Sequence, residues 1–569
     1  MTNILQVDNS RYKRRHVAAP SCVMFVVIRL AQHCGNKTVA SRARGRVIPF
    51  LHGIVTIGDW TRSPVSRSVP KVDQQPDARY MSENPTPVQI TRRDFIGVSL
   101  AAPLSVAAAT APAAVATRGD AQRHDAYLET AQETARWIRS ARVERPDRAP
   151  WAPEPDHPEK VVTVGPDNTI YSGSAGIVLF LVELARATGD ESYLQDAILG
   201  ADYLATTWKR LPGQEGAAFL RDGGLSFDQG LAGAAFTLGE AWKATQNPKY
   251  RDAAVAATQE LVGRAHPAGG GVEWLPSPAV GQGGGIVLYL LEAARTFHDE
   301  QLLQVAQQAG RRILELGQPD SRGGTRWQGL PSGGTTSALP PNAYFPNFEL
   351  GTAGVAFVLA RLYEETRQPE FLEAAKAGAR HIQAIATVNG DSALVYYREP
   401  DLEGLYYLGY CHGPAGTARL FYQLYKVTGE TPYLQWSEKL AQGIARSGVP
   451  EKLTPGYWNV ACQCCGAAAV TELFLSLWAA TGQARYRDFA RRVADQLISR
   501  GNDLDGKGYR WYQAWTRVKP WEVNAETGYK IGAAGIGAAL IHTHLAVRDR
   551  YSALLFPDNP FPRTRGTAA

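Results

Sequence analysis

Four cysteines lie close together in the second half of the chain, Cys411, Cys462, Cys464 and Cys465. The other two cysteines, Cys22 and Cys34, stand near the beginning. A disulfide framework would distribute its cysteines along the fold, so this clustering is more typical of one site. Three thiolates with one open position form a tetrahedral zinc site. We therefore predict a Zn²⁺ site built from Cys411, Cys464 and Cys465.

The same residues allow other chemistry. A fourth ligand from Cys462 or His412 would close the coordination shell and make the zinc structural. In an exported protein, Cys464 could instead form a disulfide with Cys411 or Cys462. The thiols could also be simply buried. These alternatives stay open on sequence alone.

The cysteines belong to a sequence repeat that must position them. A turn, Gly-rich in nearly every copy, precedes an apolar segment seven times, at residues 173–176, 230–233, 282–285, 351–354, 413–416, 466–469 and 532–535. A large apolar residue stands 17 positions after the first six turns, as at Tyr193 and Phe371. Each unit is predicted to be a helical hairpin with an apolar inner helix and a charged, amphipathic outer helix.

Seven stacked hairpins predict an all-α protein, an α/α toroid with a double ring of inner and outer helices, although an open solenoid has the same periods. We expect the glycines to permit positive φ and close packing. Unpaired N–H groups of the inner helices should then point to one end of the ring, where the dipoles favour thiolates and anions. Residues just before the turns are the candidate site residues: Asp228, Glu349, Cys411, His412, Cys464, Cys465 and Lys530.

Composition excludes two classes of protein. With 20% charged and 44% hydrophobic residues, the chain is too apolar to be disordered. The net charge is +6, but residues 1–80 hold 13 Lys or Arg against 4 Asp, which leaves −3 for the rest. A slightly acidic body has no basic track for phosphates, so no nucleic-acid partner is expected.

The beginning of the chain contains an export signal. Arg92-Arg93, a weakly apolar stretch and the small residues Ala114-Val115-Ala116 are typical of a twin-arginine signal peptide over residues 81–116. Its apolar stretch is Ala-rich and interrupted by Pro103, so no stable membrane span is expected. The prediction is export by the twin-arginine route to the periplasm or the extracellular space.

Three segments follow from this signal. Since such a signal begins near the start of a protein, translation is expected to start at Met81. Residues 1–80 are then either an extension upstream of the true start or a disordered leader. Residues 117–569 form the predicted toroid domain.

Together, the motifs resemble the lanthionine synthetase C-like family. The resemblance rests on the seven turns, on 410–416 (Tyr-Cys-His-Gly-Pro-Ala-Gly), on 464–466 (Cys-Cys-Gly) and on 532–537, and it spans about residues 125 to 550. It implies an α/α toroid whose zinc ligands are Cys411, Cys464 and Cys465, with Cys-Cys where the family usually has Cys-His.

The resemblance also implies an activity. Members of the family activate a peptide cysteine as a zinc thiolate that adds to dehydroalanine or dehydrobutyrine and forms a thioether. Relatives add glutathione instead, so the expected partner is a peptide or a small thiol.

Two family positions differ here. The usual His before the fourth turn falls at Leu350, and the usual upstream Asp falls near Ser226. We consider His412 or Glu349 as the group that protonates the enolate, and Asp228 as an orienting group, because proton transfer needs a titratable group within reach. Alternatively, Asp228 caps a helix and Glu349 lies in a solvated loop.

Two further functions are compatible with the sequence. Loss of the usual acid–base pair favours a non-catalytic, zinc-stabilised protein that binds peptides. The aromatic run 509–515 and Trp521, with the carboxylates Asp228, Glu349 and Glu526, would suit a carbohydrate-active toroid enzyme.

Overall fold

Fourteen helices form the described part of the computed structural model, which covers residues 118–143, 149–157, 168–209, 224–329, 344–401 and 403–566. The predicted signal peptide 81–116 and residues 1–80 lie outside the described residues. The helices are α1 Arg118–Ser140, α2 Ser174–Thr188, α3 Glu191–Thr207, α4 Leu231–Thr245, α5 Pro248–Gly263, α6 Gly283–Phe297, α7 Glu300–Glu315, α8 Thr352–Thr366, α9 Pro369–Ile385, α10 Pro414–Thr428, α11 Thr431–Arg446, α12 Ala467–Thr481, α13 Ala484–Arg500 and α14 Ala533–Val547.

Short strands pair as five two-stranded antiparallel hairpins. Four of these hairpins lie between an outer helix and the next inner helix, and the fifth follows α14. Their strands are β1 His266–Ala268, β2 Gly271–Glu273, β3 Gln318–Pro319, β4 Thr325–Arg326, β5 Thr387–Asn389, β6 Ser392–Leu394, β7 Gln513–Ala514, β8 Val523–Asn524, β9 Arg550–Ser552 and β10 Thr564–Gly566.

The seven inner helices are α2, α4, α6, α8, α10, α12 and α14. Each is 15 residues long and begins directly after the first residue of a predicted turn. They are buried along most of their length; in α2 every residue from Ser174 to Leu184 is buried. The outer helices bury one face, including the predicted apolar position at Tyr193 and Phe371, whereas Tyr433 is half-buried. The predicted fold class is confirmed.

The ring is closed. Each inner helix packs against the next, and α14 packs against α2 as well as against α12. The seventh hairpin lacks an outer helix of its own in sequence, and α1 covers α14 in its place. The two ends of the domain therefore complete one hairpin together, which distinguishes a toroid from an open solenoid.

The glycines act differently from the prediction. Six of the seven inner-helix caps are extended, and all seven have a negative φ, between −155° at Gly230 and −107° at Gly173, so the expected positive φ is wrong. The expected close packing is present: a Cβ on Gly354 would lie 1.9 Å from the carbonyl oxygen of Phe348.

Many of the first N–H groups of the inner helices are also paired, contrary to the prediction. They donate to carbonyls of the preceding loop, as from Leu231 N to Gly224 O at 3.0 Å and from Ala533 N to Glu526 O at 2.7 Å.

Within the described ranges, no helix is both long enough and apolar enough to cross a membrane.

Candidate metal centre

A belt of backbone hydrogen bonds brings equivalent residues of the hairpins together. The belt residues stand two positions before each helix cap: Tyr171, Asp228, Val280, Glu349, Cys411, Cys464 and Lys530. The N–H of Glu349 donates to Cys411 O at 2.9 Å, Cys411 N–H to Cys464 O at 3.1 Å, and Cys464 N–H to Lys530 O at 2.8 Å. The belt continues across the ends of the chain, from Lys530 N to Tyr171 O at 3.0 Å and from Tyr171 N to Asp228 O at 2.8 Å.

Three thiols meet at this belt. The Sγ atoms of Cys411 and Cys465 are 3.3 Å apart, those of Cys464 and Cys465 are 3.5 Å apart, and all three lie within 4.8 Å of one another. Tetrahedral zinc with Zn–S bonds of about 2.3 Å separates its sulfur ligands by about 3.8 Å. The donor set and its spacing therefore fit a zinc ion, and no disulfide joins these cysteines.

The two candidates for a fourth ligand lie outside this triad. Cys462 is buried, and its N–H donates to Gln513 Oε1 at 3.0 Å. His412 packs against the rings of Phe345 and Tyr397, with centroids 5.1 and 4.8 Å away. Its buried Nδ1 has no hydrogen-bond partner among the described residues.

The thiols titrate as one group. The pKa of Cys464 is well below its ordinary value because the thiols of Cys411 and Cys465 donate to its sulfur. The pKa of Cys411 is raised because its thiol bonds to Cys464, and the pKa of Cys465 is raised because its thiol bonds to Cys411, Cys462 and Cys464. Negative charge therefore concentrates on Cys464, the thiol at the centre of the polar contacts.

Polar groups from three other hairpins surround Cys464. Glu349 Oε2 lies 3.7 Å from its Sγ, and the hydroxyl of Tyr171 lies 3.6 Å from it. Burial, with the negative charges of Cys464 and Asp228, raises the pKa of Glu349 well above its usual range. Asp228 is buried and pairs with Lys530, Oδ1 to Nζ at 3.4 Å.

The surroundings of Asp228 and Glu349 show whether these residues are a helix cap and a solvated loop residue, the alternatives left open by the sequence. The cap residue of α4 is Gly230, and no side chain accepts a hydrogen bond there, so Asp228 does not cap this helix. Burial raises the pKa of Asp228 to about 6, although Lys530 opposes this rise. Glu349 is 8% exposed and is therefore no solvated loop residue. For His412, burial lowers the pKa to about 4, so its imidazole is neutral near pH 7.

Two polar residues near the site have no assignment from sequence. Tyr171 occupies the belt position of the first hairpin, so the repeat register itself could have identified it. Asp558 lies after the repeat, where no periodicity points to it. It accepts from Tyr410 Oη at 2.6 Å and pairs with Arg419 at 2.9 Å. Burial would lower the pKa of Lys530, but Asp228 and Asp558 raise it.

The aromatic residues proposed for carbohydrate stacking differ in exposure: some are buried in the core, and Trp521 is exposed. Trp511 is buried and donates to Leu497 O at 2.7 Å, so its face is unavailable to a sugar. Tyr509 packs on Trp511 and donates to Ile498 O. Glu526 accepts from Asn524 at 3.1 Å. Trp521 remains open, with 72% of its surface exposed.

A closed double ring of helices with a thiol cluster at one end defines this protein as an α/α toroid with a candidate metal centre. The model of the lanthionine synthetase C-like protein family matches residues 166–555, and the chain belongs to that family. No curated protein matches the sequence.

Three solved structures are similar to this chain. Nisin cyclase superposes with a TM-score of 0.50 at 15% identity, covering 67% of this chain and 89% of its own. An inactive variant of the α-1,6-mannanase GH76A of Salegentibacter sp. HEL1_6 gives 0.39 at 15% identity, covering 74% and 99%. Unsaturated glucuronyl hydrolase from Bacillus sp. GL1 gives 0.40 at 15% identity, covering 75% and 96%.

Proposed function

We propose that this protein is an exported, zinc-dependent enzyme that adds a thiol to a dehydroamino acid in a peptide. The observation that carries the proposal is the convergence of Cys411, Cys464 and Cys465 within 4.8 Å at one end of a toroid of this family. Nisin cyclase, which shares the fold, is by its name a cyclase that acts on nisin.

The three cysteines would hold Zn²⁺, which would supply a Lewis acid that lowers the pKa of a substrate thiol. Addition then forms one carbon–sulfur bond and breaks the π bond of the dehydroamino acid. The thiol proton leaves, and the α-carbon takes up a proton. No oxidant or reductant is needed.

The chain offers groups for the proton and the charge. Glu349 is the carboxyl next to the triad, 3.7 Å from the Sγ of Cys464, and would donate the proton to the α-carbon of a substrate bound at the thiols. The Lys530 ammonium lies on the same belt, where it would stabilise negative charge on an enolate oxygen. Asp228 fixes Lys530 and so serves as a positioning residue.

The test compares two cysteine variants of the chain expressed from Met81. Cys464→Ala is expected to lose bound zinc and to lose addition of a cysteine peptide to a dehydroalanine peptide, measured by elemental analysis and by the mass of the thioether product. The matched control is Cys462→Ser, which should retain both: Cys462 lies two positions before Cys464 and outside the triad, and Ser keeps a hydrogen-bonding group beside Cys465. Full zinc content and full activity in Cys464→Ala would overturn the proposal.

A second candidate is a zinc-stabilised protein that binds peptides without reaction. The observation that favours it is Leu350, a half-buried apolar residue where the family usually has His. Under this alternative, the native chain contains zinc and binds peptides but forms no thioether with any dehydroalanine peptide.

Export is the part of the proposal that concerns the cell. It rests on the signal-peptide pattern in residues 81–116, which ends at the predicted cleavage site at Ala116. N-terminal sequencing of the native protein should give Thr117, and a native protein that retains residues before Ala116 would contradict the proposed export.

A further inference from the structure

Exposed large apolar side chains in the described part of the chain concentrate on one face of the toroid. They are Val388, Leu453, Leu504, Val518 and Trp521. Each lies in a connection from an outer helix to the next inner helix. The thiol triad lies at this face too, because its cysteines precede α10 and α12. The apolar surface and the candidate centre therefore share one end of the ring.

The β7–β8 hairpin is fixed against the centre. Gln513 Oε1 in β7 accepts from Ala461 N at 2.8 Å and from Cys462 N at 3.0 Å. The ring of Trp515 meets Tyr171 edge-on, with centroids 6.3 Å apart. The hairpin tip then presents Val518 and Trp521, which are 63% and 72% exposed.

A second aromatic group is joined to the hairpin tip by an ion pair. Arg517 in the tip pairs with Glu403 at 2.6 Å, which joins the hairpin to the connection between α9 and α10. That connection contributes Tyr397 and Tyr407, whose rings are 4.7 Å apart, and Tyr407 packs on Trp458 at 5.4 Å. Tyr397 also contacts His412 beside Cys411.

We call these four residues the apolar rim: Tyr397, Tyr407, Val518 and Trp521. The charged groups beside it all form ion pairs. Glu403 pairs with both Arg398 and Arg517, and Lys519 pairs with Glu522 at 3.0 Å. The rim thus offers aromatic and aliphatic surface with little net charge.

We propose that the apolar rim binds the residues of a peptide substrate that flank its reacting cysteine, and that it selects large apolar side chains there. The inference rests on the proposed function, because a peptide whose thiol reaches the triad must cross this face. Large aromatic side chains such as Trp521 supply most of the affinity in interfaces of this kind. Since the neighbouring charges are paired, binding should change little with salt.

The experiment measures binding without reaction. The full chain from Met81 is titrated with two labelled peptides of about ten residues, each with one central cysteine and no dehydroamino acid. One peptide has Leu and Phe on both sides of the cysteine, and the other has Ser and Gly. Fluorescence anisotropy should show the apolar peptide binding about tenfold more tightly, a difference that one well-packed aromatic anchor can supply.

Single substitutions identify the side chains that produce the preference for the apolar peptide. Trp521→Ala should remove most of the preference, and Val518→Ser should reduce it. Leu504→Ala is the matched control: Leu504 is 94% exposed in the same connection, but its turn contacts α1 through Arg136 and Gly506. That variant should bind both peptides as the native chain does.

Three outcomes would overturn the inference. The two peptides bind with equal affinity, Trp521→Ala keeps the preference of the native chain, or the protein binds phosphatidylcholine vesicles through Trp521 and does not bind the peptides. The proposed function fails separately. Suppose that no thioether forms, but that the apolar peptide binds more tightly and Trp521→Ala loses this preference. The proposed enzyme activity is then wrong, and the proposed peptide binding by the rim is supported. If addition proceeds without any preference, only the rim is excluded.

Discussion

At the belt, the pKa values of single residues depend more on burial than on residue type. Glu349 and Asp228 are ordinary carboxyls in sequence, yet both pKa values are raised because the ring interior excludes water. Lys530 stays charged in the same interior because two carboxylates face it. Glu349, a carboxyl with a raised pKa, directly precedes Leu350, where the resemblance to the family predicts His.

His542 shows the same principle in a second interior cluster. Its imidazole lies between Glu183 at 2.8 Å and Glu472 at 2.6 Å, and these carboxylates raise its pKa well above the usual value despite burial. A raised folded pKa stabilises the fold fully below the unfolded pKa of about 6.5, and this contribution is lost as pH rises towards the folded value.

We predict that the native chain loses stability relative to His542→Gln as pH rises above about 6.5, by about 1.4 kcal/mol per pH unit until the folded pKa is reached. The difference between the two proteins should be constant at lower pH. Urea unfolding at several pH values between 5 and 9 measures this. Parallel curves for native and variant chains would contradict a charged imidazole at this site.

At the scale of the elements, the start of each inner helix determines how closely the hairpins pack. The helix has no side-chain cap, so the preceding loop must supply carbonyls to its first N–H groups. This brings the loop backbone so near that the fourth turn position has no room for a Cβ in α8 or α10. This contact between each loop and the first turn of its inner helix holds the belt residues in place.

Gly354→Ala should therefore destabilise the protein by about 3 kcal/mol, because the new Cβ would meet the Phe348 carbonyl at 1.9 Å and force the loop away. Gly263→Ala is the matched control. Gly263 ends α5, and a methyl group added there would have nothing within 4 Å, so this change should be neutral or stabilise by up to about 1 kcal/mol. Equal effects of the two substitutions on thermal unfolding would contradict the packing argument.

Local signals explain how much of the fold and site was predictable. Turn glycines, apolar spacing and the cysteines are short-range patterns, so the sequence predicts seven inner helices and the residues that meet at their starts. The pairing of α1 with α14 joins the two ends of the domain, and no periodicity records it. Asp558 was missed for the same reason, because it enters the ring from a segment after the repeat. The paired N–H groups depend on loop backbone, which side-chain patterns do not describe.

At the scale of the whole molecule, the stability of the site depends on ring closure. The belt passes from Lys530 to Tyr171, and α14 stands between α12 and α2. Its outer side is covered by α1, which buries Trp137 completely and bonds Tyr127 to Asp495 of α13. An uncovered α14 would expose one of the most apolar helices of the chain, whose residues Ala533–His544 are buried.

We predict that a chain lacking residues 118–140 fails to fold cooperatively, since losing a single buried Trp costs about 3–5 kcal/mol and net stabilities are about 5–15 kcal/mol. A circular permutant that begins at residue 141 and carries residues 118–140 after residue 566 through a flexible Gly/Ser linker restores the covering helix. It should regain a cooperative thermal transition and the zinc content of the native chain, because the belt needs a closed ring and not a particular chain end. If the chain lacking residues 118–140 folds cooperatively and binds zinc, α1 is not required for closure of the ring. If the permutant fails to fold although its linker is long enough to span the ring, the connection before α2 has a role that packing of α1 on α14 does not explain.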